Sequence, residues 1–293
     1  DDLARAQLFH VQGLRAAHAG DVTTFLARLE AAVEAFERAG DLNNVRLERT
    51  TIGWCWAEIG DFEKAERLVR ANIDECVRAG AQQAITYAKV NLGFILAHRP
   101  GGSDEARSLL DSAVEECRAV GNNRLEGWAH AHAAAVDHAA GAHEQSLARA
   151  EEAVRLLAAA PSLHGWALAT RARALLALGR AEAAHDDATR AMAILCSLGG
   201  LLQGESLPPL VLAEVLRRLG RSDDAARAAA IPLSVTEPAQ RAALAALDHE
   251  PELLDRVREL VERRDRVAAA LAELGWRGPA PLRRRRRGCG LGR

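Results

Sequence analysis

Glycine returns along this chain on a beat of about 40 residues, in two interleaved series. One series is Gly20, Gly60, Gly102, Gly141, Gly179 and Gly220. The other is Gly40, Gly80, Gly121, Pro161 and Gly199, with proline standing in once. Glycine suits a helix end because that place often takes a left-handed conformation that costs a residue without a Cβ nothing. Proline at 161 is expected to stop a helix by another route, through its missing N–H and its clash with the preceding turn. The first series reads as the turn inside each helix pair and the second as the break between pairs. A chain punctuated this way folds as a row of helical hairpins.

The second helix of each pair tests that reading independently. Seven residues before each inter-pair break stand Val33, Ile73, Val114, Val154 and Met192; four before it stand Phe36, Cys76, Cys117, Leu157 and Leu195. Eleven before it are Leu29, Val69, Leu110, Ala150 and Ala188. These offsets trace one face of a helix, and every member is apolar. Eight before the break the residues are Ala32, Asn72, Ala113, Ala153 and Ala191, and fifteen before it Phe25, Ala65, Ala106, Ser146 and Ala184. Small side chains there let neighbouring helices approach closely. In the first helices Gly13, Gly53, Gly93, Ala134, Ala172 and Ala213 hold a matching small position. Asp61, Ser103-Asp104 and Ser222-Asp223 open second helices, where they can cap free N–H groups and offset the dipole.

The run Gly53-Trp54-Cys55-Trp56-Ala57-Glu58-Ile59-Gly60-Asp61-Phe62-Glu63-Lys64-Ala65 resembles the tetratricopeptide repeat, with a small residue in the first helix, a glycine turn seven later and alanine five beyond. Gly13, Gly93 and Gly141 carry partial versions, and the likeness covers roughly residues 3–230. The resemblance implies an all-α fold, an α-solenoid of antiparallel helix pairs wound into a TPR-like superhelix, with the first helix of each pair lining a concave groove. Elongated repeats of this kind look like those at the C-terminal end of large bacterial signalling proteins, where a Ser/Thr kinase or ATPase domain precedes a regulatory array. The expected organisation is an array of about six pairs over 1–230, two further helices capping it over 231–276, and an unstructured Arg-rich tail over 277–293. The start at Asp1-Asp2 inside a helical pattern reads as a fragment of something longer, without a signal peptide.

Composition supports the fold class. Ala and Leu dominate while Val, Ile, Thr and the aromatics are sparse, which leaves few strand formers. No window is apolar enough for a spanning helix. Five cysteines without CxxC spacing read as reduced thiols in a cytoplasmic protein. Cys76 and Cys117 sit where other pairs carry Phe or Leu, so both read as small buried hydrophobes. The net charge of −2 conceals an asymmetry. Seven Arg (Arg277, Arg283 to Arg287, Arg293) lie in the tail, and without them 31 basic face 40 acidic residues, or −9. An acidic body is a poor phosphate-binding surface, so nucleic acid is not the expected partner. The Arg283–Arg287 run reads as a solvated tail rather than a nucleic-acid or lipid site.

The search for catalytic chemistry is negative: the sequence holds no GxxxxGK[ST], GxGxxG, GxSxG or HExxH. The densest polar cluster is His130, His132, Asp137, His138 and His143, whose side chains are good transition-metal ligands. His130 and Asp137 share a helical face, His132 points elsewhere, and no His pair at i, i+4 exists. Partly buried structural histidines account for the cluster more simply, so no metal and no cofactor are expected. A metal-dependent helical hydrolase built on this cluster is the remote alternative.

An aromatic series is the more informative feature. Leu47, Tyr87, Trp128 and Trp166 hold equivalent places in first helices, with Trp54 and Phe94 seven residues beyond Leu47 and Tyr87. If first helices line the groove, Trp54, Tyr87, Phe94, Trp128 and Trp166 are candidates to grip a protein or peptide partner. The bland account is that they pack between repeats. The expected function is a non-catalytic protein-interaction or regulatory module in bacterial signal transduction, acting with an upstream domain of the same chain, or alternatively a stand-alone adaptor. No membrane partner is expected.

Overall fold

The structure, a computed structural model, describes residues 1–200 and 204–229, in which twelve helices and no strand occur. They run as six pairs: α1 (Asp2–His18) with α2 (Val22–Ala39), α3 (Leu42–Glu58) with α4 (Phe62–Arg78), and α5 (Gln82–Ala97) with α6 (Ser103–Ala119). Then follow α7 (Asn123–Ala139) with α8 (His143–Leu156), α9 (Pro161–Ala177) with α10 (Ala181–Leu198), and α11 (Leu207–Arg218) with α12 (Ser222–Ala229). The described residues all belong to one compact unit of the chain. The expected capping helices and the Arg-rich tail lie outside the described residues.

Each helix packs on its sequence neighbours. Beyond that, α3 packs on α5, α5 on α7, α7 on α9 and α9 on α11, whereas among the described residues the backbones of successive even-numbered helices stay apart and meet only through long side chains, as in the ion pairs Arg70–Glu105 between α4 and α6 and Arg149–Asp111 between α6 and α8. The odd helices therefore crowd together on the inside of a curve and the even helices fan out on its outside. This is the geometry of a wound row of hairpins, in which each pair is stabilised by its neighbours.

The apolar registers form the core. Leu29, Val69, Leu110, Ala150 and Ala188 are fully buried, and so are Ala32, Ala113, Ala153 and Ala191. Cys76 and Cys117 are buried as well, and burial pushes both thiols up, that of Cys117 to about 11. The polar exceptions in these registers are bonded to a neighbouring helix. Asn72 Nδ2 donates to Arg46 O and to Thr50 Oγ1, each at 2.8 Å, and Ser146 Oγ donates to Ala134 O at 2.8 Å. The small position of the first helices is a steric necessity. A Cβ on Gly53 would lie 2.3 Å from Val69 Cγ2, and one on Gly93 would lie 2.7 Å from Leu110 Cγ.

Several turn details differ from the sequence expectation. The left-handed glycine of the third pair is Gly101, at φ +75°; Gly102 keeps a right-handed backbone and its missing Cβ makes room for Leu96 O. Pro161 does not stop α8, which ends at Leu156; it is the first residue of α9, where its absent N–H would have had no helical partner anyway. Pro208-Pro209 likewise fall in the first turn of α11. Asp61 caps α4 by accepting from Lys64 N at 3.0 Å, and Asp21, Asp41 and Asn122 cap α2, α3 and α7 in the same way. Ser103 and Asp104 make no such bond; they stand inside the first turn of α6, where the acid faces the positive end of the dipole.

Candidate functional site

The inner face of the curve is built from one repeated triplet. On four successive odd helices, residues at i, i+4 and i+7 turn inward: Leu47, Thr51 and Trp54 on α3; Tyr87, Asn91 and Phe94 on α5; Trp128, His132 and Ala135 on α7; Trp166, Thr170 and Arg173 on α9. That spacing puts each triplet on a single stripe. All five aromatic residues singled out from sequence are members, so the structure gathers them on one surface. Trp54 and Trp166 are buried; Tyr87, Phe94 and Trp128 are half-buried.

The rings also touch one another. Tyr87 and Trp128 have centroids 5.8 Å apart, and His132 lies 5.2 Å from Phe94, 5.4 Å from Trp128 and 4.7 Å from Trp166. Trp54 meets Phe25 of α2 edge-on at 6.3 Å. Packing between repeats and lining the inner face are thus both true of this series. His132 is enclosed by these rings, and burial lowers its imidazole to about 3, so it is a neutral member of an aromatic wall.

Two cavities open along this face. The first, of about 580 Å³, is lined by His10 and Leu14 of α1, by Glu48, Thr51 and Trp54 of α3, by Tyr87 and Asn91 of α5, and by Arg124 and Trp128 of α7. Glu48 is 5% exposed, and its Oε1 lies 2.5 Å from His10 Nδ1. The bond to Glu48 raises the pKa of His10 above its ordinary value. Thr51 Oγ1 and Tyr87 OH are 3.2 Å apart, and Asn91 Nδ2 donates to Tyr87 O at 2.9 Å. Trp54 Nε1 and Asn91 Oδ1 are buried and make no hydrogen bond.

The second cavity, of about 530 Å³, runs past Phe62, Phe94, His98, His132 and Trp166, with Glu58, Arg173 and Glu205 on its walls. Glu58 is open to the water of the groove yet ringed by protein atoms, and the lost solvation pushes its carboxyl up to about 7. Burial likewise raises the Glu205 carboxyl and lowers the Arg173 guanidinium. Gly204 lies directly against the Trp166 indole, where a Cβ would come 2.3 Å from Cδ1.

The histidine cluster is dispersed. Asp137, fully buried, accepts from Arg107 Nε at 2.9 Å and pairs with Arg149 Nε at 2.7 Å, so two cations occupy the carboxylate. His130 sits 3.8 Å from Glu126 and His132 belongs to the aromatic wall. The His138 and His143 rings approach to 5.1 Å across the Gly141 turn, and burial lowers His138 to about 4. Among the described residues no three of His, Cys, Asp and Glu converge as metal ligands.

No protein-family model matches the chain. A short stretch resembles aromatic amino acid aminotransferases: 48% identity over 56 residues with that of Thermobifida fusca, 19% of this chain and 16% of that protein. The counterpart from Streptomyces avermitilis is 51% identical over 55 residues, 15% of its length. The chain thus spans under a fifth of these relatives. Among solved structures, a Rap protein complexed with competence and sporulation factor superposes with a TM-score of 0.56 at 11% identity, over 78% of this chain and 74% of that one. BtubC from P. vanneervenii gives 0.52 at 16% identity, over 89% and 95%. A signal transduction ATPase with numerous domains from Pyrococcus horikoshii, with a tetratricopeptide repeat sensor, gives 0.51 at 16% identity, over 78% of this chain and 36% of that one. The fold is that of a tetratricopeptide-like helical array.

Proposed function

We propose that this array is a non-catalytic binding module whose inner face takes an extended peptide or protein segment, and that it acts as the sensor or regulatory part of a larger signalling protein. The observation carrying this reading is the repeated inward triplet, which lays aromatic and hydrogen-bonding side chains along one continuous surface with two cavities. Aromatic residues partly buried against a rigid scaffold are typical anchors of an interface. Trp54, Tyr87, Phe94, Trp128 and Trp166 are assigned to partner contact, with the half-buried Tyr87 and Trp128 as the main grips. The likeness to an ATPase that carries a tetratricopeptide sensor supports the regulatory role, with a kinase or ATPase domain elsewhere in the parent protein. The stand-alone adaptor is the competing form.

A random peptide library selected on the full chain tests the reading. Selected peptides are expected to lose affinity on the order of tenfold in Tyr87→Ala and Trp128→Ala, and to keep it when the exposed outer residues Val77 and Val120 become Ala. Absence of any selected peptide, or loss confined to the outer variants, would overturn it.

A further inference from the structure

The first cavity contains a charge arrangement that the general reading does not use. Glu48 is 5%, Asn91 1% and Trp54 9% exposed, and all three line it. Two of them carry acceptors in its wall, the Glu48 carboxylate and Asn91 Oδ1, which is buried and has no hydrogen-bond partner, and Trp54 Nε1 is a buried donor without one. Trp54, Tyr87 and Trp128 supply aromatic walls. The charged residues lining this space are Glu48, His10 and, exposed at its mouth, Arg124.

We infer that this cavity is an arginine-recognition subsite of the binding face, in which Glu48 and Asn91 accept from a guanidinium, the aromatic walls flank it, and His10 is the counter-ion that Glu48 holds until the ligand enters. The inference rests on the proposed peptide-binding reading and adds the side chain that is recognised. A guanidinium offers five N–H donors in a planar fork and so can serve two acceptors at once, which an ammonium does less well. Its flat cation is attracted to the faces of Trp and Tyr rings. Trp54 Nε1 then takes the main-chain carbonyl of the same residue, filling the one donor left over. An anionic ligand would meet a buried carboxylate instead. Because His10 already sits 2.5 Å from Glu48, entry replaces one partner of the carboxylate by another, a cation for a cation when His10 is protonated, and leaves the buried carboxylate paired.

The test titrates the full chain with acetyl-Ala-Arg-Ala-amide and with its neutral isostere acetyl-Ala-citrulline-Ala-amide, read by Trp fluorescence and calorimetry. The arginine peptide is expected to bind at least about tenfold more tightly, the size of one charge-assisted hydrogen bond. Glu48→Gln, which keeps the shape of the side chain, should erase that preference. His10→Gln should strengthen arginine binding by several fold because the competitor is gone. Trp54→Phe should weaken both peptides alike. Equal affinity for the two peptides overturns the inference, as does failure of both to bind or an unchanged preference in Glu48→Gln. Weaker arginine binding in His10→Gln overturns the counter-ion role. Equal binding leaves the broader peptide reading intact, whereas an empty library selection removes both.

Discussion

Replacing Asp137 by Ala should cost about 3 kcal/mol of stability, by the following physics. The carboxylate is fully buried, takes a hydrogen bond from Arg107 on α6 and faces Arg149 on α8, so one side chain of α7 ties three helices together. Removing one partner of a buried ion pair strands the others, and such truncations cost roughly 3–5 kcal/mol. The lower end applies because both arginines keep a route to compensation: Arg149 Nη1 is 2.7 Å from Asp111, and Arg107 Nη1 is 3.5 Å from Asp104 at the surface. For an array of this size that loss corresponds to a fall in Tm of roughly 6–12 °C. Urea unfolding followed by circular dichroism measures it. A double-mutant cycle with Arg107→Ala should show a coupling of about 1 kcal/mol or more. A loss below about 1 kcal/mol would refute the tie. A Tm that rises by several degrees on adding zinc would refute it differently, by returning Asp137 to the metal-ligand set.

The remaining predictions are shorter. Gly53→Ala should destabilise although alanine favours helix, because its Cβ falls 2.3 Å from Val69 Cγ2; Gly53→Ala with Val69→Ala should recover most of the loss in Tm. Glu58 binds its proton up to about pH 7 when folded but only to about 4.5 when unfolded, so stability falls as pH rises between those values. Glu58→Gln should therefore be the more stable protein at pH 8 and no different at pH 4, and equal pH profiles would contradict this. The His132 imidazole, lowered to about 3, should show no titration by NMR between pH 7 and 5, and the stability it contributes should decline only as pH falls below the ordinary histidine value. A midpoint near 6 would place it in solvent.

Much of this was legible in the glycines and the apolar registers, because both report the backbone and the close packing that a stacked hairpin imposes. The five aromatics were legible for the same reason: equivalent places in a repeat return equivalent side chains. What stayed hidden was the polar middle of each triplet. Thr51, Asn91, His132 and Thr170 differ too much in chemistry to read as one register, although each stands four residues after an already singled-out position. Glu48 and His10 were invisible because they meet across 38 positions of sequence, and Glu48 looks like any solvated helix carboxylate until the curve of the array buries it. Asp137 and its histidines carry ligand chemistry in the sequence and are expected to be structural, but the sequence does not show that two arginines from neighbouring helices reach the same carboxylate. The Gly101 turn and the place of Pro161 differ from the sequence expectation by one local choice each, since a proline can open a helix as readily as it prevents one from continuing.

Hydrogen exchange of the full chain with and without a selected peptide tests the binding face most directly. Slowed exchange concentrated in α3, α5, α7 and α9, with α2, α4, α6 and α8 unchanged, is the predicted pattern. Protection that falls on the even-numbered helices, or spreads evenly over both sets, would contradict an inner face built from the first helix of every pair.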